Sequence, residues 1–326
     1  MPPTDPLPDL KERFIGCLLG HALGDALGAP AEGQRLDRSA WEAIVLSKKR
    51  PLPWTDDTQM AIALGESLVE NGGLDTDHLA LHWARSMEPH RGYGRSAQET
   101  LSRILDGQSW QEANRSVFPD GSYGNGAAMR VAPLALYFHQ VESALKRDAY
   151  LASQITHAHP IGLEGGRLAA LATAIALHHP FHPDTFLHAL ESSTTLDPFR
   201  KRLQILRDWG TRLPALEEVR EKLGHSVSAH RSVVTAIHLF LRHQTDDIFS
   251  LASSAVDLGG DVDTLAAMAG GMLGAHRGLD VLPESLLSRL EARDRIQRLA
   301  VALHDCPHRP GQSPSAGHHL SNGAED

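Results

Sequence analysis

Gly166-Arg167-Leu168-Ala169-Ala170-Leu171-Ala172-Thr173-Ala174-Ile175-Ala176-Leu177 is apolar on almost every side of a helical wheel. A helix with one apolar stripe rests on a surface, whereas one that is apolar nearly all round must be enclosed by its neighbours. The stretch therefore predicts a helix at the centre of a bundle. The neighbours it needs are present on both sides in the chain. Apolar residues recur at helical spacing at Phe14, Ile15, Leu18 and Leu19, then at Met60, Ala61, Leu64, Leu68 and Val69. Further stripes run through Leu101, Ile104 and Leu105, through Ala128, Val131, Leu134 and Ala135, and over 233–241 and 265–273. Segments alternating with period two are scarce. An all-α fold of many helices follows.

Composition agrees. Aromatics make up 5% of the 326 residues, too few for a β-sandwich or barrel, which draws on aromatic and β-branched side chains. At 41% hydrophobic the chain is neither disordered nor membranous. Its 31 Lys and Arg against 40 Asp and Glu give a net charge of −9, which argues against a broad nucleic-acid-binding surface. Two cysteines, Cys17 and Cys306, exclude a disulfide scaffold and a cysteine-built zinc site. No signal-peptide pattern opens the chain, and no apolar run is read as approaching the roughly 20 residues that span a bilayer. The cytoplasm, away from membranes, is the expected location. Gly-, Pro- and Asn-marked breaks at 28–33, 50–53, 89–94, 119–126, 157–162 and 259–260 separate the helical stretches, and no long Gly/Ser linker divides the chain. The expected organisation is a flexible N-terminus at 1–10, one domain over 11–306 and a disordered, histidine-bearing tail at 307–326.

Two acidic clusters precede apolar helical runs: Trp54-Thr55-Asp56-Asp57-Thr58 and Gly259-Gly260-Asp261-Val262-Asp263-Thr264. Asp and Thr cap helices and favour the positive end of the helix dipole, so capping is one reading of each. A cap needs one side-chain oxygen, while each cluster offers two carboxylates and a threonine. Oxygen ligands without His or Cys suit a hard cation, Mg²⁺, Mn²⁺ or Ca²⁺. If the fold joined the two clusters, their four carboxylates and two hydroxyls could hold a two-metal centre.

A third segment, Gly121-Ser122-Tyr123-Gly124-Asn125-Gly126, precedes the helical run expected over 127–136. Its glycines allow backbone N–H groups to converge, either as a phosphate cradle at a helix start or as a simple glycine turn. Arg91-Gly92-Tyr93-Gly94 is a second glycine-rich loop, able to pass close to a ligand. Glu32 follows the first helix in a loop, where a lone glutamate is ordinarily solvated. His157 and His159 read as metal ligands or as hydrogen-bonded turn residues. No nucleophile elbow is present.

In this order the segments resemble the ADP-ribosylglycohydrolase family, which includes the dinitrogenase reductase-activating glycohydrolases. The likeness is carried by Gly16-Cys17-Leu18-Leu19-Gly20, Gly24-Asp25-Ala26-Leu27-Gly28-Ala29, Thr55-Asp56-Asp57-Thr58, Gly124-Asn125-Gly126-Ala127-Ala128-Met129-Arg130, Thr156-His157 and the second acidic cluster. It spans about Phe14 to Leu303. The resemblance implies a roughly orthogonal helical bundle with two Mg²⁺, or Mn²⁺, at one end. It implies that Thr55, Asp56, Asp57 and Asp263 hold one ion, and that Asp261, Asp263 and Thr264 hold the other. The Gly121, Ser122, Tyr123, Gly124 and Asn125 loop would take a diphosphate, with Tyr123 near adenine, His157 near the distal ribose or phosphates, and the Gly92 and Gly94 loop close by. Glu32 would serve as the acid/base. The implied reaction is release of ADP-ribose from a protein side chain or small acceptor, with O-acetyl-ADP-ribose hydrolysis or a silent ADP-ribose-binding relative as the alternatives. Gly94-Arg95-Ser96-Ala97 lacks the acid that the arginine-directed branch carries after this glycine, which points toward serine or O-acetyl linkages.

Overall fold

The computed structural model describes residues 8–33 and 36–306. Helices follow one another from Leu10–Gly28 to Arg293–Asp305, and no strand forms among the described residues. Among the described residues the isolated bridges are Leu52 with Leu290 and Gly124 with Ser228. This is the single all-α domain expected from the periodicities. The expected flexible N-terminus lies outside the described residues over 1–7, and the expected tail lies outside them over 307–326.

The helix containing the opening stretch runs Pro160–Ala176. Leu168, Ala169, Ala170, Leu171, Ala172, Thr173, Ala174 and Ala176 are all buried. Proline at its first position costs nothing, because the first N–H groups of a helix have no partner inside it. Arg167, on its one polar edge, is held by Glu164 at 2.6 Å and by the Ser193 carbonyl at 2.7 Å.

What positions the site is a different pair of helices. The first, Leu10–Gly28, starts at Asp9, whose carboxylate accepts from the Glu12 N–H at 2.8 Å. From Phe14 to Gly28 every residue is buried. It lies antiparallel against Val262–Arg277 along Gly16, Gly20, Gly24 and Gly28 on one side and Gly270 and Gly274 on the other. A Cβ on Gly16 would sit 2.5 Å from the Gly278 carbonyl, and one on Gly270 would sit 2.5 Å from the Gly20 carbonyl. Cβ atoms at Gly20, Gly24, Gly28 and Gly274 would come closer still, onto Gly270, Ala266, Asp263 and Gly16. Side chains ordinarily keep packed helices 8–10 Å apart. Here glycine every fourth residue removes that spacer and lets backbone touch backbone.

The seam has two consequences. First, Leu10–Ala31 has a mean hydropathy of 1.2 over a length that could cross a membrane, which corrects the expectation that no run of that kind exists. Its most apolar window is 89% buried in the fold, against the other core helices. Secondly, the antiparallel register sets the C-terminal end of the first helix against the start of Val262–Arg277. Gly28 meets Asp263 directly, and Glu32 is four residues further on.

One local expectation fails. The run expected over 127–136 is not one helix. A 3-10 turn spans Ala128–Arg130 and a separate six-residue helix spans Ala132–Tyr137. Pro133 has no N–H to donate, and its ring would clash with the carbonyl four residues back, so the chain restarts at Ala132.

Candidate active site

Three helix ends converge where the glycine seam finishes. Thr55 caps Asp56–Asn71, accepting from the Asp57 N–H at 3.3 Å. Asp56, Asp57 and Thr58 thus lie in the first turn of that helix, about three residues earlier than the apolar pattern alone indicates. Asp261 occupies the cap position of Val262–Arg277 but makes no side-chain cap bond, while Asp263 and Thr264 follow in the first turn. The clusters therefore do stand at helix starts. Capping accounts for Thr55 and for no carboxylate.

The two clusters, two hundred residues apart in sequence, are close enough to act on each other. Burial first, then Asp263, Asp25, Asp56 and Asp261, push the Asp57 carboxyl well above the usual range. Burial and the charges of Asp261, Glu32 and Asp25 do the same to Asp263. Asp56 is pushed up to about 7 by burial, Asp25, Glu32 and Asp261. Asp261 is pushed to about 6 by burial and Glu32, partly offset by a bond from Asn125. Carboxylates that mutually raise one another in a buried site form a set short of positive charge.

The first helix also supplies Asp25, which the sequence reading quotes in a motif without giving it a task. It is fully buried. Its oxygens accept from the Thr55 N–H at 3.0 Å, the Thr58 N–H at 3.1 Å and the Thr58 hydroxyl at 2.6 Å. Asp25 holds the start of Asp56–Asn71 in place from below. The signal for it was an acid inside an otherwise apolar, glycine-rich helix, since a buried Asp needs such partners.

Glu32 is exposed, yet one of its oxygens lies within 4.8 Å of ligand oxygens on both Asp261 and Asp263. Those three carboxylates can share a cation. The Asp57 Oδ2 and Asp263 Oδ1 atoms are buried with no hydrogen-bond partner among the described residues. Orphaned buried oxygens are costly unless something fills them. An all-oxygen set with unfilled lone pairs fits a hard divalent ion such as Mg²⁺ or Mn²⁺.

The glycine loops flank this set. Gly121 has φ +84°, and a Cβ there would strike the His159 N–H. The loop is pinned by the Asn125 N–H to the Val227 carbonyl at 2.8 Å and by the Ala229 N–H to the Tyr123 carbonyl at 3.1 Å. The Gly121 N–H is spent on Phe118 at 2.8 Å and the Gly124 N–H on the Ser122 hydroxyl at 3.2 Å. A cradle open along its whole length, ending on an α-helix start, is therefore not what forms. Ser122, Tyr123 and Gly126 keep N–H groups without a partner among the described residues, and a 3-10 turn follows. The Asn125 side-chain amide donates to Asp261. Tyr123 is half exposed, its ring edge-on to His159 at 5.9 Å.

Gly92 has φ +96°, and a Cβ on it would stand 3.5 Å from Asp56 Oδ1, so this loop passes directly over the acidic set. Arg91 fastens the loop. Its guanidinium stacks on Trp54 at 3.9 Å and donates to Glu291 at 2.7 and 2.9 Å. Gly94 caps Arg95–Leu105, and Arg95 is exposed. His157 is buried beside the Gly124 and Gly126 loop. His159 is a turn residue, its Nδ1 accepting from the Ile161 N–H at 3.1 Å at the start of Pro160–Ala176. Cys17 is buried, which pushes its thiol up and away from any nucleophilic role.

Comparison with known proteins adds an independent line. The ADP-ribosylglycohydrolase family model matches residues 6–312. The chain is 33% identical over 337 residues to ADP-ribosylhydrolase ARH3 of Homo sapiens, covering 90% of this chain and 93% of that one. It is 31% identical over 342 residues to ADP-ribosylhydrolase ARH3 of Gallus gallus, with the same coverage. The solved structure of an ADP-ribosylglycohydrolase-related protein complex superposes with a TM-score of 0.71 at 28% identity, over 90% of this chain and 98% of that one.

Proposed function

The chain belongs to the ADP-ribosylglycohydrolase family, and we propose that its acidic helix junction, with divalent cations bound, hydrolyses the bond between the anomeric carbon of ADP-ribose and a modified protein side chain or small acceptor. The observation that carries this reading is the meeting of Glu32, Asp261 and Asp263 within 4.8 Å at the end of the glycine seam. Two buried carboxylate oxygens of the junction, Asp57 Oδ2 and Asp263 Oδ1, have no hydrogen-bond partner among the described residues.

Thr55, Asp56, Asp57 and Asp263 would hold one ion, and Asp261, Asp263 and Thr264 a second. A pair of hard cations in such a set, Mg²⁺ or Mn²⁺, supplies charge neutralisation and Lewis-acid polarisation. The protein's own groups do the rest. Cleavage at an anomeric carbon requires a proton to leave the attacking water and another to reach the departing oxygen. Glu32 is exposed at the mouth of the buried set, where it can exchange protons with solvent, and we assign it that transfer. Asn125 donates to Asp261 and so fixes the orientation of that carboxylate. Asp25 fixes the other helix start. The Gly92 loop roofs Asp56, and the N–H groups of Ser122, Tyr123 and Gly126 would receive phosphate oxygens of the ligand.

An acidic pocket is at first sight a poor host for a diphosphate. Fully ionised, as cation ligands must be, Glu32, Asp56, Asp57, Asp261 and Asp263 would carry about −5, and two divalent ions would bring this to about −1. Cation binding thus comes before ligand binding.

A substrate panel with Mg²⁺ present tests the reading. ADP-ribosyl-serine peptide or O-acetyl-ADP-ribose is expected to release ADP-ribose, with ADP-ribosyl-arginine turned over more slowly. A melting temperature raised by ADP-ribose without turnover of any member would instead identify a silent binder. Neither turnover nor a shift would remove the ADP-ribose assignment.

A further inference from the structure

Behind the glycine loop lies a buried chain of three polar side chains that the proposed reaction does not use as such. Arg130 is 1% exposed and makes no ion pair with a carboxylate among the described residues. Its guanidinium carbon lies over the Trp83 ring, 3.9 Å from the centroid. One nitrogen, Nη1, is 3.5 Å from the Met60 sulfur, and the other, Nη2, donates to the Ala152 carbonyl at 3.3 Å and to Thr156 Oγ1 at 2.7 Å. Thr156 Oγ1 is in turn 2.8 Å from His157 Nδ1.

The proton inventory of this chain decides its direction. Arginine only donates, so Thr156 Oγ1 accepts from Arg130. The hydroxyl has one proton to give, and His157 Nδ1 is the acceptor within hydrogen-bond distance among the described residues. An imidazole whose Nδ1 accepts carries its proton on Nε2. Protonating Nδ1 as well would leave the hydroxyl proton without an acceptor and bring a second cation close to Arg130. Burial and the Arg130 charge both push His157 down, to about 3, which is consistent with a neutral ring.

The other edge of the ring faces the glycine loop. A Cβ on Gly126 would stand 3.1 Å from Cε1 and 3.4 Å from Nε2, and one on Gly124 would stand 3.7 Å from Nε2. Both loop positions are glycine, so this edge stays uncovered. Nε2 has no hydrogen-bond partner among the described residues.

We propose that Arg130 and Thr156 are positioning residues that lock His157 as the neutral, Nε2-protonated tautomer. His157 then gives the site a fixed N–H donor for a phosphate or ribose oxygen lying on the glycine loop. The lock also excludes two other roles. A protonated Nε2 has no lone pair to offer a metal ion, and a ring held neutral by a buried cation is a poor proton shuttle. The ligand part of the proposal rests on the ADP-ribose reading above, whereas the tautomer does not.

The test is long-range ¹H–¹⁵N correlation of the imidazole nitrogens in the full chain with Mg²⁺ present, the His157 signals being assigned by their loss in His157→Gln. Alongside it, ADP-ribose affinity is measured by calorimetry. The wild type is expected to show protonated Nε2 and unprotonated Nδ1. Thr156→Val is expected to mix the tautomers and to weaken ADP-ribose by the inverse of the fraction that keeps Nε2 protonated, about twofold for an even mixture. Thr156→Ser, which keeps the hydroxyl, is expected to restore both. A merely structural threonine would not move the ring nitrogens. Wild-type His157 found protonated on Nδ1, or on both nitrogens, overturns the lock even if Thr156→Val fails to fold. A mixed tautomer in Thr156→Val with unchanged affinity overturns the donor role. The expected wild-type spectrum without ADP-ribose binding supports the lock and overturns the ligand reading instead.

Discussion

Asp57→Asn and Asp263→Asn are each expected to lower turnover by about a thousandfold or more while raising the melting temperature of the cation-free chain. The loss of turnover follows from the cations that the proposed reading gives these carboxylates to hold. Cations at such a site supply several kcal/mol of charge stabilisation, and several kcal/mol is about three powers of ten or more in rate. The gain in stability follows from the repulsion. Both groups are buried and each is pushed well above the usual carboxylate range, by burial first and by neighbouring carboxylates next. A group whose folded value is raised binds more protons in the fold than in the unfolded chain, so its charge costs stability as pH rises above about 4. Asparagine keeps the shape and removes the charge, and the gain should therefore be larger at pH 8 than at pH 5. With Mg²⁺ present the order should reverse, since the wild type then gains from ligation what the variants cannot. Calorimetric melting with and without Mg²⁺, beside a turnover assay, checks all of this. A variant that melts below wild type without cations would show that these carboxylates are structural.

The second large effect is expected along the glycine seam. In an open helix, replacing glycine by alanine stabilises by about 1 kcal/mol, because alanine has less backbone freedom to lose. At Gly270 the added Cβ would meet the Gly20 carbonyl at 2.5 Å and the Ile248 Cδ1 at 2.7 Å. Overpacking of this kind costs about 3 kcal/mol, and here the nearest neighbour is backbone, which cannot rotate away. Overpacking exceeds propensity, so Gly270→Ala is expected to destabilise by about 2 kcal/mol net. Gly24→Ala is expected to do more. It stands four residues before the contact of Gly28 with Asp263, so parting the helices there also parts Glu32 from Asp261 and Asp263. It should raise the Mg²⁺ concentration needed for half-maximal activity as well as lowering the melting temperature. Denaturant titration and an Mg²⁺ dependence measured on the same samples separate the two effects.

These two expectations mark what the chain reveals unaided and what it hides. The helices were legible because burial imposes its period on the apolar residues, and the 166–177 stretch is enclosed as its lack of a polar face requires. The two acidic clusters were legible as chemistry because each holds more carboxylate than a helix cap can use. The seam that joins them was not. Gly16, Gly20, Gly24 and Gly28 lower helix propensity in any sequence-local reading, and only a partner helix with its own glycines makes them favourable. The position of Glu32 against Asp261 and Asp263 depends on that register, as does the task of Asp25. The break after Arg130 was written in Pro133 but was outweighed by the apolar stripe through Val131 and Leu134. The Arg130, Thr156 and His157 chain joins two motifs that were each visible, yet their link is a tertiary contact.

The central claim is that this acidic junction works only when divalent ions occupy it. The most direct measurement strips the full chain with chelator, removes the chelator, and follows ADP-ribose release from ADP-ribosyl-serine peptide as Mg²⁺ or Mn²⁺ is returned. Turnover is predicted to fall to background on stripping and to recover with added ion in the wild type, but not in Asp57→Asn. Undiminished turnover by the stripped, folded chain would contradict the claim.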